Sequence, residues 1–163
     1  MSKKRDKNKD NVVKVTSWKQ LREIGNKGFV YLNTPNGVFE VEIQSLSRER
    51  IDEINNKYDE YKEDEERKNA PPKYFDKKTR EWVDDTESDE YREYSKRLKA
   101  IESLRVAELA LAFMTIKPDG ETLEEQIKEM NQLGAGHYAK IMEAGLELSG
   151  FELDKKVEAA KNS

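Results

Sequence analysis

The chain has no cysteine and a single histidine. Without cysteine there are no disulfides, no thiolate nucleophile and no thiolate-held zinc or iron-sulfur centre. One histidine, His137, cannot build a multi-histidine site, and no Cys, Ser or second His accompanies it as a catalytic partner. Long apolar runs are missing too: none approaches the roughly 20 residues that a membrane-spanning helix needs. Charges occupy the N-terminal positions where a signal peptide carries its apolar segment. A soluble protein of the cytoplasm is therefore expected.

Apolar residues are scarce overall, at 35% against 39% charged. Such a balance concentrates the core in a few stretches and leaves others solvated. A length of 163 residues fits one domain with sizeable solvated pieces. The net charge of -4 argues against a whole-surface affinity for nucleic acid, which needs a basic face to release counterions.

Read in order, residues 1–15 form a basic tail, expected to be disordered: Met1 to Asp10 carry five Lys or Arg against two Asp and nothing apolar beyond the first Met. Residues 16–61 are expected to form a helix, a β-hairpin and a second helix. Ser17 offers a hydroxyl cap to a short helix that turns Trp18, Leu21 and Ile24 inward. Phe29 to Leu32 reads as a strand, Thr34-Pro35-Asn36-Gly37 as a turn, and Val38 to Gln44 as an alternating strand with Phe39, Val41 and Ile43 on one face. Ser47 opens a helix to about Tyr61 with Ile51, Ile54, Tyr58 and Tyr61 on one side. The apolar pattern then collapses, and residues 62–88 read as a flexible charged loop whose large apolar groups are Tyr74, Phe75, Trp82 and Val83.

Residues 89–152 predict a helical bundle. Ser88 caps a helix whose first half is amphipathic through Tyr91, Tyr94, Leu98 and Ile101. Its second half, Val106 to Ile116, is apolar almost all round and should be the most buried helix. Lys117-Pro118-Asp119-Gly120 stops it. Two amphipathic helices follow, joined by Gly134-Ala135-Gly136. Their stripes are Leu123, Ile127, Met130 and Leu133, then Tyr138, Ile141, Met142, Gly145 and Leu148, and they should pack first on the apolar helix. Residues 153–163 are a polar tail. The expected fold is mainly α (α+β): one small helical bundle with an N-terminal β-hairpin, a long mid-chain charged loop and disordered termini.

No residue set points to chemistry, so neither catalytic residues, a cofactor, a metal nor a small-molecule substrate is expected. The carboxylates of Glu63 to Glu66 and Asp84 to Glu90 lie in solvated sequence where burial cannot raise their pKa values. Asp84, Asp85, Glu87 and Asp89 lack the spaced loop of a calcium site. Gly134-Ala135-Gly136 lacks the third Gly and the Lys-Ser or Lys-Thr of a phosphate loop. A DNA-reading helix-turn-helix is disfavoured because its second helix would set Glu143 and Glu147 against one Lys140.

Four features in order carry a resemblance: Pro71-Pro72 in the charged stretch, Asp89-Glu90-Tyr91 at a long helix entry, the Ala-Leu run that ends it, and the close EEQIKEMNQLGAGHYAKIMEAGLELSGF. Over roughly Glu49 to Phe151 the chain resembles the tail assembly chaperones of long-tailed phages and prophage-like elements of Gram-positive bacteria. The resemblance implies a non-enzymatic protein of the host bacterial cytoplasm that binds the tape measure protein and tail tube subunits and is absent from the finished particle. Some family members also have a longer, frameshifted form. For such a role the candidate partner-binding residues are Tyr74, Phe75 and Trp82 on the loop and Phe113, Met114, Met130, Met142 and Phe151 in the bundle, where methionines repack at modest cost. No membrane contact is expected, and the pattern leaves homo-oligomerisation open. Two other classes compete: a structural or connector component retained in the particle, using the hairpin edge, and a small nucleic-acid-binding regulator using the basic N-terminus.

Overall fold

The computed structural model describes residues 12–71 and 73–151, the side chain of Ile24 excepted. Residues 1–11 of the predicted basic tail 1–15 and the whole predicted polar tail 153–163 lie outside the described residues, as do Pro72 and Glu152. Residues 12–16 belong to no helix or strand and are exposed.

The N-terminal part follows the caps and turns of the sequence. Ser17 accepts from the Gln20 N–H and starts α1, Trp18–Gly25. Strands β1, Lys27–Thr34, and β2, Gly37–Gln44, pair antiparallel from Lys27 opposite Gln44 to Thr34 opposite Gly37. Gly37, at φ 128°, takes a conformation that only glycine adopts easily. One hairpin face carries Val30, Leu32 and Ile43 into the core, with Val41 partly buried beside them. Phe39 shares that face but lies beyond the helices and is 52% exposed. Trp18 and Leu21, expected to point inward, are 76% and 45% exposed, because among the described residues α1 packs mainly on β1 and leaves that face uncovered. The Ile24 side chain lies outside the described residues.

Helix α2, Arg48–Asn69, begins at the Ser47 cap and buries Ile51, Ile54 and Tyr58. It runs two turns past Tyr61, into the stretch expected to be a loop. Glu, Lys and Arg are good helix formers, and charge holds these turns where apolar contacts are lacking. Arg67 pairs with Asp64, Asn69 donates to Glu65 at 3.2 Å, and Lys62 and Glu65 reach across to Glu102 and Arg97. Pro71 then ends the helix, since the residue before a proline avoids helical backbone; Ala70 has ψ 134°.

The remainder of the expected loop folds as a second hairpin, β3, Lys73–Asp76, with β4, Glu81–Asp84. Ser88 caps α3, Asp89–Phe113. The C-terminal half of α3 is the centre of the core: Leu109, Ala110 and Phe113 are almost fully buried, against Ile51, Ile54 and Ile141 from the flanking helices. The helix was expected to reach Ile116 but stops at Phe113. Met114 bridges Ile43, and the Thr115 N–H donates to the Glu42 carbonyl at 3.2 Å, so the open edge of β2 captures the chain. Ile116 is left 67% exposed.

Helix α4, Leu123–Met130, opens with a capping box between Thr122 and Glu125, and a 3-10 turn follows at Asn131–Leu133. Only Gly134, at φ 93°, serves as the joint; Ala135 and Gly136 already belong to α5, Ala135–Leu148. Ile127 and Met130 of α4 and Tyr138, Ile141 and Gly145 of α5 are buried, while Leu133 falls off the stripe at 43% exposure. Both helices pack on α3, and α5 also covers the inner face of β1 and β2. The result is mainly α, five helices with two two-stranded hairpins among the described residues.

Candidate functional site

The antiparallel pair α2 and α3 decides where surfaces lie. The first hairpin sits where α2 begins and α3 ends, and the second hairpin joins the opposite ends of the same two helices. At 1.5 Å per residue a helix such as α2 is about 33 Å long, so the hairpins are held far apart.

Ionic contacts lock this pair. Glu108 of α3, 8% exposed at its side chain, has its carboxylate oxygens 3.0 and 2.8 Å from Lys57 Nζ. Its Oε2 finds no well-directed hydrogen bond and rests against the Lys57 charge. A turn further on, Glu102 accepts from Arg105 Nε at 3.0 Å and from Lys62 Nζ at 2.8 Å, while Arg105 also donates to Asn55 at 3.0 Å. The Arg105 hydrogen bond, then that of Lys62, holds the Glu102 carboxyl at about 2. Burial, reinforced by the neighbouring Glu108, pushes the Tyr58 hydroxyl well above its ordinary range.

Beyond this seam stands the second hairpin. Its four-residue turn is closed by Asp76, whose carbonyl accepts from the Arg80 N–H at 2.8 Å and whose carboxylate accepts from the Lys78 N–H at 2.9 Å. Arg80 adopts φ 58° there. Phe75 faces Trp82 across the ladder with ring centroids 5.7 Å apart and planes at 65°, a T-shaped pair worth about 1 kcal/mol beyond its buried area. A lone two-stranded hairpin is marginal in water. This one nevertheless keeps Tyr74, Phe75 and Trp82 at 52%, 47% and 67% exposure, and among the described residues it packs on no other element beyond sparse contacts.

A groove of about 420 Å³ lies along the bundle where α4 crosses the α2 and α3 pair. Tyr58, Tyr61, Leu104, Leu123 and Ile127 form its apolar floor, with Lys57 and Lys128 at the rim. Tyr61, expected to face inward, is 47% exposed and stands edge-on to Tyr58 at 5.5 Å.

The residues proposed from sequence thus separate. Phe75 and Trp82 form one exposed face of the second hairpin, and Tyr74, also exposed, stands on its other face opposite Val83. Phe113 and Met130 are 0% and 3% exposed and belong to the core, so they cannot meet a partner in this fold. Met114, Met142 and Phe151 are half-buried against the same core, Phe151 beneath the Arg48 guanidinium at 5.9 Å. None of the methionines lines the groove. Of the groove residues, Tyr61 lies on the apolar side expected of its helix, whereas Leu104 was not singled out; its place three residues past Ile101 on the same helix is the signal that could have found it.

Among the described residues there is no group of three or more His, Asp or Glu placed to hold a metal. No helix among them is long and apolar enough to cross a membrane. No protein-family model, curated protein or solved structure matches the chain.

Proposed function

We propose that this chain is a tail assembly chaperone, a non-enzymatic protein of the host bacterial cytoplasm that binds the tape measure and tail tube proteins, holding the tape measure soluble and delivering tube subunits around it. The observation that carries the reading is the β3–β4 hairpin, which holds Tyr74, Phe75 and Trp82 in solvent at the end of a rigid helix pair. Folding alone gives no reason to keep three large aromatics wet. Burying Phe75 and Trp82 on a partner would stabilise a complex by about 1.5–3 kcal/mol each, the usual scale for aromatic anchors. The groove beside Tyr61 and Leu104 suits the apolar side chains of a partner helix, the conformation expected of a long helical tape measure. The order of sequence features over Glu49 to Phe151 supports the specific partners.

Co-expression with tape measure and tail tube proteins of long-tailed phages tests the proposal. A soluble complex that Phe75→Ser with Trp82→Ser abolishes supports it. Absence of any complex, with the protein recovered in purified particles, would establish a structural component instead. Retention on DNA at low salt, lost as salt rises, would favour the regulator.

A further inference from the structure

We propose that two copies of this chain pair through the free edge of β1, antiparallel and about a two-fold axis at Val30, to build a four-stranded sheet. The proposal does not rest on the chaperone reading.

The direction of the backbone groups is fixed by contacts on the far side of the hairpin. The Glu42 carbonyl accepts from the Thr115 N–H at 3.2 Å, so the polar backbone groups of Glu42 point away from β1. Glu42 lies opposite Phe29. In an antiparallel ladder such a pair does not exchange hydrogen bonds, so the N–H and C=O of Phe29 point away from β2. Alternation extends this to Lys27, Tyr31 and Asn33. The Asn26 carbonyl, of opposite parity, accepts from the Ser45 N–H at 2.8 Å, as the scheme requires. Among the described residues these outward groups of β1 meet no hydrogen-bond partner, whereas the Glu42 end of β2 is taken by Met114 and Thr115.

Edge strands are ordinarily protected by charge, proline or a bulge. This eight-residue edge, KGFVYLNT, has one terminal Lys and none of the other devices, and its ladder is continuous. It is also its own complement. With Val30 opposite the second copy's Val30, residues of equal parity meet, so inner and outer faces stay in register. Phe29 then stands opposite the second copy's Tyr31, and Tyr31 opposite its Phe29, giving two aromatic pairs on the outer face. Phe29 and Tyr31 are 53% and 55% exposed in the single chain. Lys27 falls opposite Asn33, so no like charges meet. The outward pairs are the hydrogen-bonding ones and Val30 sits at a non-bonded position, which is self-consistent for a two-fold axis.

The experiment is sedimentation equilibrium on the full chain over a wide concentration range. Tyr31→Pro removes an outward N–H on the free side, a change edge strands tolerate, and should weaken dimerisation at least about tenfold. Phe29→Lys, which places charge on the edge, should do the same and covers a failure of the proline variant to fold. Val30→Cys, in a chain without cysteine, should form a covalent dimer on mild oxidation, while Val38→Cys, away from the axis, should not. A monomer at all concentrations overturns the proposal. So does a dimer indifferent to both edge variants, or slow hydrogen exchange at Phe29 and Tyr31 in dilute monomer, which would mean the chain covers this edge itself.

Discussion

Gly145→Ala is the sharpest test of the core. Gly145 is buried in α5, and a Cβ built there would overlap the ring of Phe113, which is 0% exposed. Alanine favours a helix over glycine by about 1 kcal/mol, so propensity alone predicts stabilisation. Overpacking of a well-filled core typically costs 1–3 kcal/mol. Here the group in the way is a fully buried ring attached near the end of α3, with Met114 pinned to β2 just beyond it, so the upper part of that range applies. The net effect is a loss of about 2 kcal/mol, or a fall in melting temperature of roughly 4–8 °C for a domain of this size. Thermal unfolding followed by circular dichroism reads it directly. In a chain already carrying Phe113→Ala, which removes the Cγ and Cδ atoms that the new Cβ would meet, Gly145→Ala should cost little or nothing. A single Gly145→Ala variant as stable as the parent or more stable would refute the packing of α5 on α3 described above.

Other outcomes follow from the ionic seam and the exposed hairpin. Lys57→Met leaves the Glu108 carboxylate buried without its partner and should cost about 2–3 kcal/mol in urea unfolding, below the usual range because Lys57 is partly exposed; Lys57→Met with Glu108→Leu should restore most of it. Glu102 is held at about 2 against an ordinary 4.5, so its contribution is present above pH 4.5 and lost as pH falls from 4.5 towards 2. Glu102→Gln should flatten the stability profile in that window. The Glu102 side chain is 41% exposed, so solvent screening keeps the effect small, and an unchanged profile would remove it from the account. Trp82→Ser should cost about 1 kcal/mol, the scale of the Phe75 ring pair it removes, and a loss of about 3 kcal/mol or more would mean that the hairpin is packed on the bundle.

Much of the fold was legible because local chemistry and burial agreed. Ser17, Ser47 and Ser88 each cap the helix expected from them, and the alternation in Val38 to Gln44 chose the face that holds Ile43 in the core. Pattern reading failed where an element buries nothing of its own. The last two turns of α2 are held by Lys62, Glu65 and Arg67 rather than by a stripe, and β3 and β4, at four residues each, are too short for alternation to register. The end of α3 failed for another reason: the edge of β2 that captures Met114 and Thr115 lies about 70 residues away in sequence and no local signal announces it. For the site, the aromatic residues stood out because solvated sequence gives no reason for them. The methionine stripes gave no such signal, since side chains at helical spacing serve a core as readily as a groove, and Met130 went to the core.

The central claim is that the β3–β4 hairpin holds another protein. The most direct measurement is titration of the purified chain, with and without Phe75→Ser and Trp82→Ser, into a phage tape measure protein, read by its retention in solution. The parent chain should keep the tape measure soluble in a defined complex, and the double variant, with its helical bundle equally folded, should not. A tape measure that precipitates regardless, or that is held equally well by both chains, would contradict it.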